Sequence, residues 1–420
     1  MSILRQEFKS GLDDLLQFLE TPRSSPLRSS ARAHFWIPGG PGQGHLIGEE
    51  ISIPEPADVE ALVSAHINSN QIAREFFSAL SEKIPNGGGD NLGHEIFLRL
   101  FHAIYFKAIS LRSIRWHFEH ALIGYHANEF YHEYCSVICG TSRLFESIKL
   151  EENIELRPLE KGLLRYLTVK SFGTGGYWKR YDPLIEDQIV CIYKARKQGP
   201  VEFGNMKELL ITNRVGLTLQ LALRQNALVI GHQIAPWSLL NGVESGTSKQ
   251  ASVPLLSYLN EEEVLRIKRI WRLLDSFDLS WYRNQEDRLS IAVRRYVSSL
   301  AEPPAEACLA LIIATETLLN PNRDTNELSF RYSLMAAVAL SKNSDERKAI
   351  FDDFRSAYGF RSKTVHGANP EKLEKVLVER LKQHVSNLLI KAIYVFKNGN
   401  ALRSWLDQIH NAGISGRFFD

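Results

Sequence analysis

The alternation of apolar and polar residues predicts a helical N-terminal region over residues 1–150. Apolar residues recur at helical spacing over residues 5–20, and the patterns of residues 57–84 and about 91–148 also predict helix. Residues 21–56 are rich in proline, glycine and serine. We predict that this stretch is a surface loop without core strands, because such residues favour turns over regular elements.

The middle of the chain, residues 151–258, predicts a small α+β region. Two short runs with apolar residues, at 154–159 and 188–194, predict strands. A helix is predicted over residues 209–223 and a further strand over residues 227–231. This change from long helices to short mixed elements separates the region from both neighbours.

Residues 259–412 predict an almost wholly helical domain, followed by a short tail at 413–420. Asn260 and Ser344 are predicted N-caps, because each precedes acidic residues and a run of helical periodicity. Short connections between helices predict an antiparallel bundle, so the fold class is mainly α. Helices are predicted at 261–274, 304–319, 327–341, 345 to the region of 366, 370–398 and 400–411.

Composition places few limits on function. The chain has 420 residues, 44% of them hydrophobic and 23% charged, which is ordinary for a globular protein. The formal net charge is +2, so any contact with RNA depends on local basic patches. Four cysteines in no framework pattern suit a reducing compartment. With neither a signal peptide nor a long apolar run in the sequence, we predict a cytoplasmic protein without a membrane segment.

The candidate chemistry lies near the predicted end of the helix that begins after Ser344. Arg361 precedes His366 by five positions, and Gly367 is placed to terminate the helix. Asn369 and Pro370 then predict the start of the next helix. The partial negative charge of a helix C-terminus favours a protonated histidine. His366 is therefore a candidate general acid or base near neutral pH.

This spacing resembles the catalytic signature of the HEPN superfamily, in which an arginine is followed by a histidine after four to six residues. Three upstream blocks extend the resemblance, which covers about residues 260–410 and points to the Apea-like branch. These blocks are Arg288–Tyr296, Leu311–Asn320 and Glu327–Tyr332. The resemblance implies a HEPN-like helical bundle and a nuclease that cleaves RNA without metal or another cofactor.

The resemblance also implies how the reaction proceeds. The 2′-hydroxyl of the RNA attacks the adjacent phosphate and leaves a 2′,3′-cyclic phosphate. His366 would exchange the protons, and Arg361 would bind the scissile phosphate and stabilise its growing charge. Lys363 and Thr364, which lie between them, are further candidate phosphate contacts. The site is expected to combine the motifs of two protomers in a homodimer.

Glu316 is predicted to support the arginine. It lies one helical turn after Ile312 and one before Leu319, so it is predicted on the apolar side of its helix. A buried carboxylate is costly unless it is paired. Arg361 or Arg331 is the predicted partner, and the sequence leaves that choice open.

A second candidate site contains His132, Cys135 and Cys139. On a helix these residues would share one face, and their side chains are of types that bind zinc. The surrounding aromatic residues favour the alternative of a packed interface between helices. We therefore predict no metal in the active site and keep these residues as weak candidates.

Two functions follow from these patterns. The first is an RNA-cleaving homodimer, of the kind typical of bacterial toxin or anti-phage systems, whose region before residue 260 senses a trigger or positions RNA. A regulatory protein is a possible further partner. The alternative is a non-catalytic HEPN scaffold that binds RNA, a nucleotide or a partner protein.

Overall fold

The structure is a computed structural model, and helix predominates in the part of the chain it describes, alongside a small antiparallel sheet. The coarse prediction of a mainly helical protein is therefore confirmed. The arrangement of a HEPN-like bundle stays a prediction. The described residues are 2–20, 29–38, 46–54, 56–83, 105, 114–115, 129–139, 142–164, 188–198, 206–234, 245–246, 257–275, 288–319, 328–365, 375–397 and 402–415.

The chain forms two compact units. The first contains residues 1–212 and 228–259, and the second contains residues 213–227 and 260–420. No helix in the described residues is long and apolar enough to cross a membrane.

The first unit begins with helix α1 (Ser2–Glu20), as predicted. The predicted helix over residues 57–84 is two helices, α2 (Pro56–Ser69) and α3 (Gln71–Lys83). They are separated at Asn70, whose side-chain oxygen accepts hydrogen bonds from the backbone N–H groups of Ile72 and Ala73 at 2.9 and 3.2 Å. Asn70 therefore caps α3 and ends the continuity that the apolar pattern predicted.

The prediction of a loop over residues 21–56 is wrong for most of that stretch. Strand β1 (Ser29–Pro38) pairs antiparallel with β2 (Leu46–Pro54), with Ile37 opposite Ile47. Proline and glycine dominated the prediction, although the sequence also alternates small or apolar residues with polar ones from Ala31 onward. Pairing with a second strand outweighs composition here, because it satisfies the backbone groups of both segments.

The helical prediction over residues 91–148 is wrong at residues 129–139, which form a strand of the sheet. Strand β3 (Glu129–Cys139) is an inner strand of a six-stranded antiparallel sheet. Residues 133–138 are all buried, so this strand lacks the alternation that identifies a half-buried strand. Its aromatic and β-branched residues were the remaining strand signal, and the helical interpretation overlooked it.

The sheet has the strand order β4-β5-β6-β3-β7-β8. Strands predicted near residues 154, 188 and 227 are confirmed. Strands β4 and β5 are neighbours in both the sequence and the sheet. By contrast, β3 pairs with β6 and β7, which lie far from it in the sequence. The strands are β4 (Ile148–Glu151), β5 (Ile154–Pro158), β6 (Ile189–Gln198), β7 (Leu228–Ile234) and β8 (Ser245–Gly246).

The second unit contains the helices predicted from residue 260 onward, together with the end of helix α4 (Met206–Leu223). Helix α10 (Lys375–Lys397) carries much of the core, and its packing partners in the described residues include six later or earlier helices of this unit. Those six are α5 (Glu261–Leu274), α6 (Arg288–Ser299), α7 (Pro304–Leu319), α8 (Leu328–Leu340), α9 (Ser344–Val365) and α11 (Leu402–Ser415). The three sequence blocks that resemble the HEPN superfamily therefore all belong to the second unit.

Two helix starts test the predicted caps. Asn260 forms a complete capping box with Glu263, through hydrogen bonds of 2.9 and 3.0 Å, so that prediction is confirmed. The cap of α9 is Asn343 and not Ser344, because the Asn343 side chain accepts hydrogen bonds from the N–H groups of Asp345 and Glu346. The Ser341 hydroxyl accepts from the Asn343 N–H at 3.0 Å, which turns the chain one residue earlier than predicted.

Candidate functional site

Arg361 and Glu316 form the centre of the candidate site. Helix α9 carries Arg361 and helix α7 carries Glu316, and the Nη1 group of Arg361 donates a hydrogen bond to Oε1 of Glu316. The carboxylate side chain is 18% exposed and the guanidinium side chain 32% exposed. The structure thus pairs Glu316 with Arg361, one of the two partners considered, while Arg331 lies half-buried on α8. Solvent still reaches part of the guanidinium, so the pair leaves room for a ligand.

Tyr358 adds a group that sequence reasoning missed. It lies one turn before Arg361 on α9, and its side chain is 5% exposed. Its ring lies 6.1 Å from the ring of Tyr332 and 6.0 Å from the guanidinium carbon of Arg361. The Tyr358 hydroxyl is buried beside the Glu316 carboxylate. The three-residue spacing to Arg361 was the available signal, because such residues share a helix face.

The environment of Tyr358 keeps its hydroxyl protonated. Burial is the largest cause, and the negative charge of Glu316 acts in the same direction, so the pKa of Tyr358 is raised well above its ordinary value. The site therefore combines a guanidinium, a carboxylate and a neutral phenol.

The other predicted site residues are described only in part. Lys363 and Thr364 belong to α9, which continues to Val365, but their side chains lie outside the described part. His366, the predicted general acid or base, lies outside the described residues altogether. Arg361 is therefore four residues from the described end of its helix.

A second charged cluster joins α9 to α10. Asp353 accepts three hydrogen bonds of 2.8 to 3.1 Å from Arg380, and Nε2 of His384 lies 3.0 Å from Oδ2 of Asp353. The Asp353 side chain is 12% exposed, whereas that of Arg380 is 47% exposed. Burial by itself would raise the pKa of Asp353, but the hydrogen bonds and charges of Arg380 and His384 outweigh it and lower the pKa.

We expect Asp353→Asn to destabilise the protein by about 1–2 kcal/mol at pH 7, because it removes a charge-assisted pair that solvent partly screens. The folded-state pKa lies below the unfolded value, so this stability is present above about pH 4 and is lost as the pH falls through the folded value. Denaturant unfolding at pH 7 and at pH 3 measures the difference.

The neighbouring exposed residue provides the control for this change. Asp352→Asn removes the same charge one position away and should cost less than about 0.5 kcal/mol. An equal loss in both variants, or a loss from Asp353→Asn that grows at low pH, would contradict the assigned role of the pair.

The structure removes the geometric reason for proposing a zinc site at His132, Cys135 and Cys139. These residues lie in strand β3, and residues three apart in a strand alternate between its faces, so the shared helix face does not exist. Burial, followed by the charge of Glu133, raises the pKa of Cys135 to about 12.

No protein-family model, curated protein or solved structure matches this chain.

Proposed function

We propose that this protein is a metal-independent endoribonuclease of the HEPN type. One observation carries the proposal: a partly exposed arginine, held by a carboxylate from another helix, lies five positions before a histidine. A guanidinium in this setting is suited to bind a phosphate, because its remaining N–H groups match two phosphate oxygens. The toxin or anti-phage role belongs to the same proposal and rests on the resemblance alone.

In the proposed reaction, the 2′-oxygen of the RNA forms a bond to the adjacent phosphorus and the bond from phosphorus to the 5′-oxygen breaks. One His366 accepts the proton of the 2′-hydroxyl, and the His366 of a second protomer gives a proton to the leaving 5′-oxygen. Arg361 stabilises the extra negative charge on the phosphate oxygens. Lys363 and Thr364 supply further contacts to the same phosphate.

Glu316 has a positioning role in this scheme. Without a substrate it holds the guanidinium of Arg361 in one orientation, which lowers the entropy lost when the phosphate binds. The half-buried setting also means that Arg361 keeps its charge partner while it contacts RNA. Glu316 touches Arg361 and not the reacting atoms, so it acts through the arginine.

The alternative function is a non-catalytic scaffold that binds RNA, a nucleotide or a protein partner. The ion pair with Glu316 is the observation in its favour, because it already engages the guanidinium. The two functions differ in their products: the scaffold binds without cutting, whereas the nuclease leaves 2′,3′-cyclic phosphate and 5′-hydroxyl ends.

The test is cleavage of total RNA and of transfer RNA by the purified full chain in excess EDTA. We expect cut RNA with cyclic phosphate ends, a particle of two protomers by light scattering, and no cutting by His366→Ala. Ser362→Ala, an exposed change in the same motif, is the matched control and should cut normally. Cutting that stops in EDTA, or that survives His366→Ala, would refute the proposal. Binding of RNA without any cutting would support the scaffold.

A further inference from the structure

The end of helix α4 has an unusual backbone. Arg224 directly follows the last helical residue and has a φ of 58°, the one positive φ at a non-glycine position among the described residues. Its N–H donates to the Gln220 carbonyl at 3.0 Å, which is the bond that a helix-ending glycine usually forms. A side chain in this conformation is strained, and such strain is found where a side chain has a function.

A second arginine lies at the same end of the helix. The Leu221 carbonyl accepts a hydrogen bond of 2.8 Å from the Ser386 hydroxyl of α10. The next residue of α10, Asn387, accepts a hydrogen bond of 3.0 Å from Nη2 of Arg266 on α5. This chain of contacts brings the guanidinium of Arg266 to the helix end that carries Arg224.

Neither guanidinium group is paired directly with a carboxylate within the described residues, although the negative charge of Glu262, one turn before Arg266 on α5, also acts on Arg266. Within the described ranges, neither Arg224 nor Arg266 forms an ion pair, and the Nε atom of each is buried without a hydrogen bond. Burial, followed by the positive charge of Arg224, lowers the pKa of Arg266. The two like charges therefore lie near each other, and the Nε group of each has no acceptor among the described residues.

The helix dipole does not account for the pair. Cations at a helix C-terminus are favourable, but they need not lose contact with water to act. The carbonyl of Gln220 already accepts a hydrogen bond from the Tyr296 hydroxyl at 3.2 Å, and that of Leu221 accepts one from Ser386. The arginines are thus not needed as donors to those two carbonyls.

We propose that Arg224 and Arg266 form a binding site for a phosphate group. A phosphate would neutralise both charges, accept hydrogen bonds from both guanidinium groups and offset the strain at Arg224. The side-chain amide of Asn387 fixes Arg266 in place for this contact. This site is separate in its residues from the proposed nuclease site and does not depend on it.

The test compares thermal unfolding in inorganic phosphate and in sodium chloride of equal ionic strength. Phosphate at ten times its dissociation constant should raise the midpoint of the wild type by about 2–4 °C, because it binds only the folded state. Arg224→Gly should unfold at a higher temperature than the wild type in chloride, because glycine accepts the positive φ, and should lose the rise in phosphate. Arg266→Gln should lose the rise as well.

Lys348→Gln is the matched control, since it removes one positive charge from an exposed position of α9 and should keep the whole rise. The proposal fails if the wild type unfolds alike in both salts, or if Arg224→Gly keeps the rise.

The source of the phosphate group is identified by repeating the unfolding measurement with a mononucleotide and, separately, with an oligoribonucleotide that has no terminal phosphate. A rise with the mononucleotide alone assigns a small phosphorylated ligand, and a rise with the oligoribonucleotide assigns the RNA backbone. A rise with inorganic phosphate alone assigns the free ion. RNA cleavage by Arg224→Gly is measured in parallel, so that a failure of this site is distinguished from a failure of the proposed nuclease.

Discussion

Replacing Arg361 by alanine should lower the rate of RNA cleavage by about 10²–10³-fold, the usual loss when one group that stabilises transition-state charge is removed. Arg361→Lys should also cut slowly, since an ammonium is a point charge and does not form two parallel hydrogen bonds to a phosphate. The measurement is the initial rate of appearance of cyclic phosphate ends at saturating RNA. Binding of RNA, measured separately, should change less than this rate.

A matched pair of variants separates chemistry from folding. Arg361→Ala leaves the Glu316 carboxylate partly buried and unpaired, which should cost about 1–3 kcal/mol of stability. Adding Glu316→Gln removes that charge, so the double variant should regain stability without regaining cleavage. Wild-type cleavage by the double variant would show that the pair is structural. Slow cleavage by a fully stable double variant would support contact between Arg361 and the substrate.

Replacing Phe354 by alanine should lower the free energy of unfolding by about 3–5 kcal/mol. Its side chain is fully buried in the middle of α9, and its ring lies 5.9 Å from that of His384 on α10. Removing the ring leaves a cavity beneath the helix that carries Arg361. Denaturant unfolding at pH 7 gives the value, and a constant m-value would show that the unfolded state is unchanged.

Phe330→Ala is the control, because this ring on α8 is 52% exposed and touches Phe351 edge-on at 5.5 Å. The loss there should be about 1 kcal/mol or less. Equal losses in the two variants would contradict the described burial of Phe354. Cleavage by Phe354→Ala should persist below its unfolding transition, because the change does not touch Arg361.

The helices of the second unit were predictable because their signals are local. Asn260 caps its own helix through a residue three positions later, and Pro304 begins α7 as the first helical residue. The partnership of Glu316 was predictable as a choice between two cations, since burial of a carboxylate requires a partner. Which cation it was depended on the packing of α7 against α9, which no local pattern encodes.

The sheet and the polar clusters were not predictable in the same way. Strand β3 pairs with β6 and β7, which follow it by many residues, and its continuous burial conceals the period of a strand. The contact of Asp353 with His384 spans 31 positions, and the burial of the Tyr358 hydroxyl beside Glu316 arises only when three helices are assembled. Such features arise from tertiary packing, whereas sequence periodicity reports only which face of an element is apolar.

The short connection between α8 and α9 has a consequence for the order of folding. Only residues 341–343 join the two helices, and Ser341 and Asn343 close that turn with hydrogen bonds of their own. Closing so small a loop loses little chain entropy, whereas Arg361 must find Glu316 across 45 positions. We therefore expect this helical hairpin to assemble early and the ion pair to form late. A chain stalled between those steps would carry Arg361 on a formed helix and still be unable to orient it.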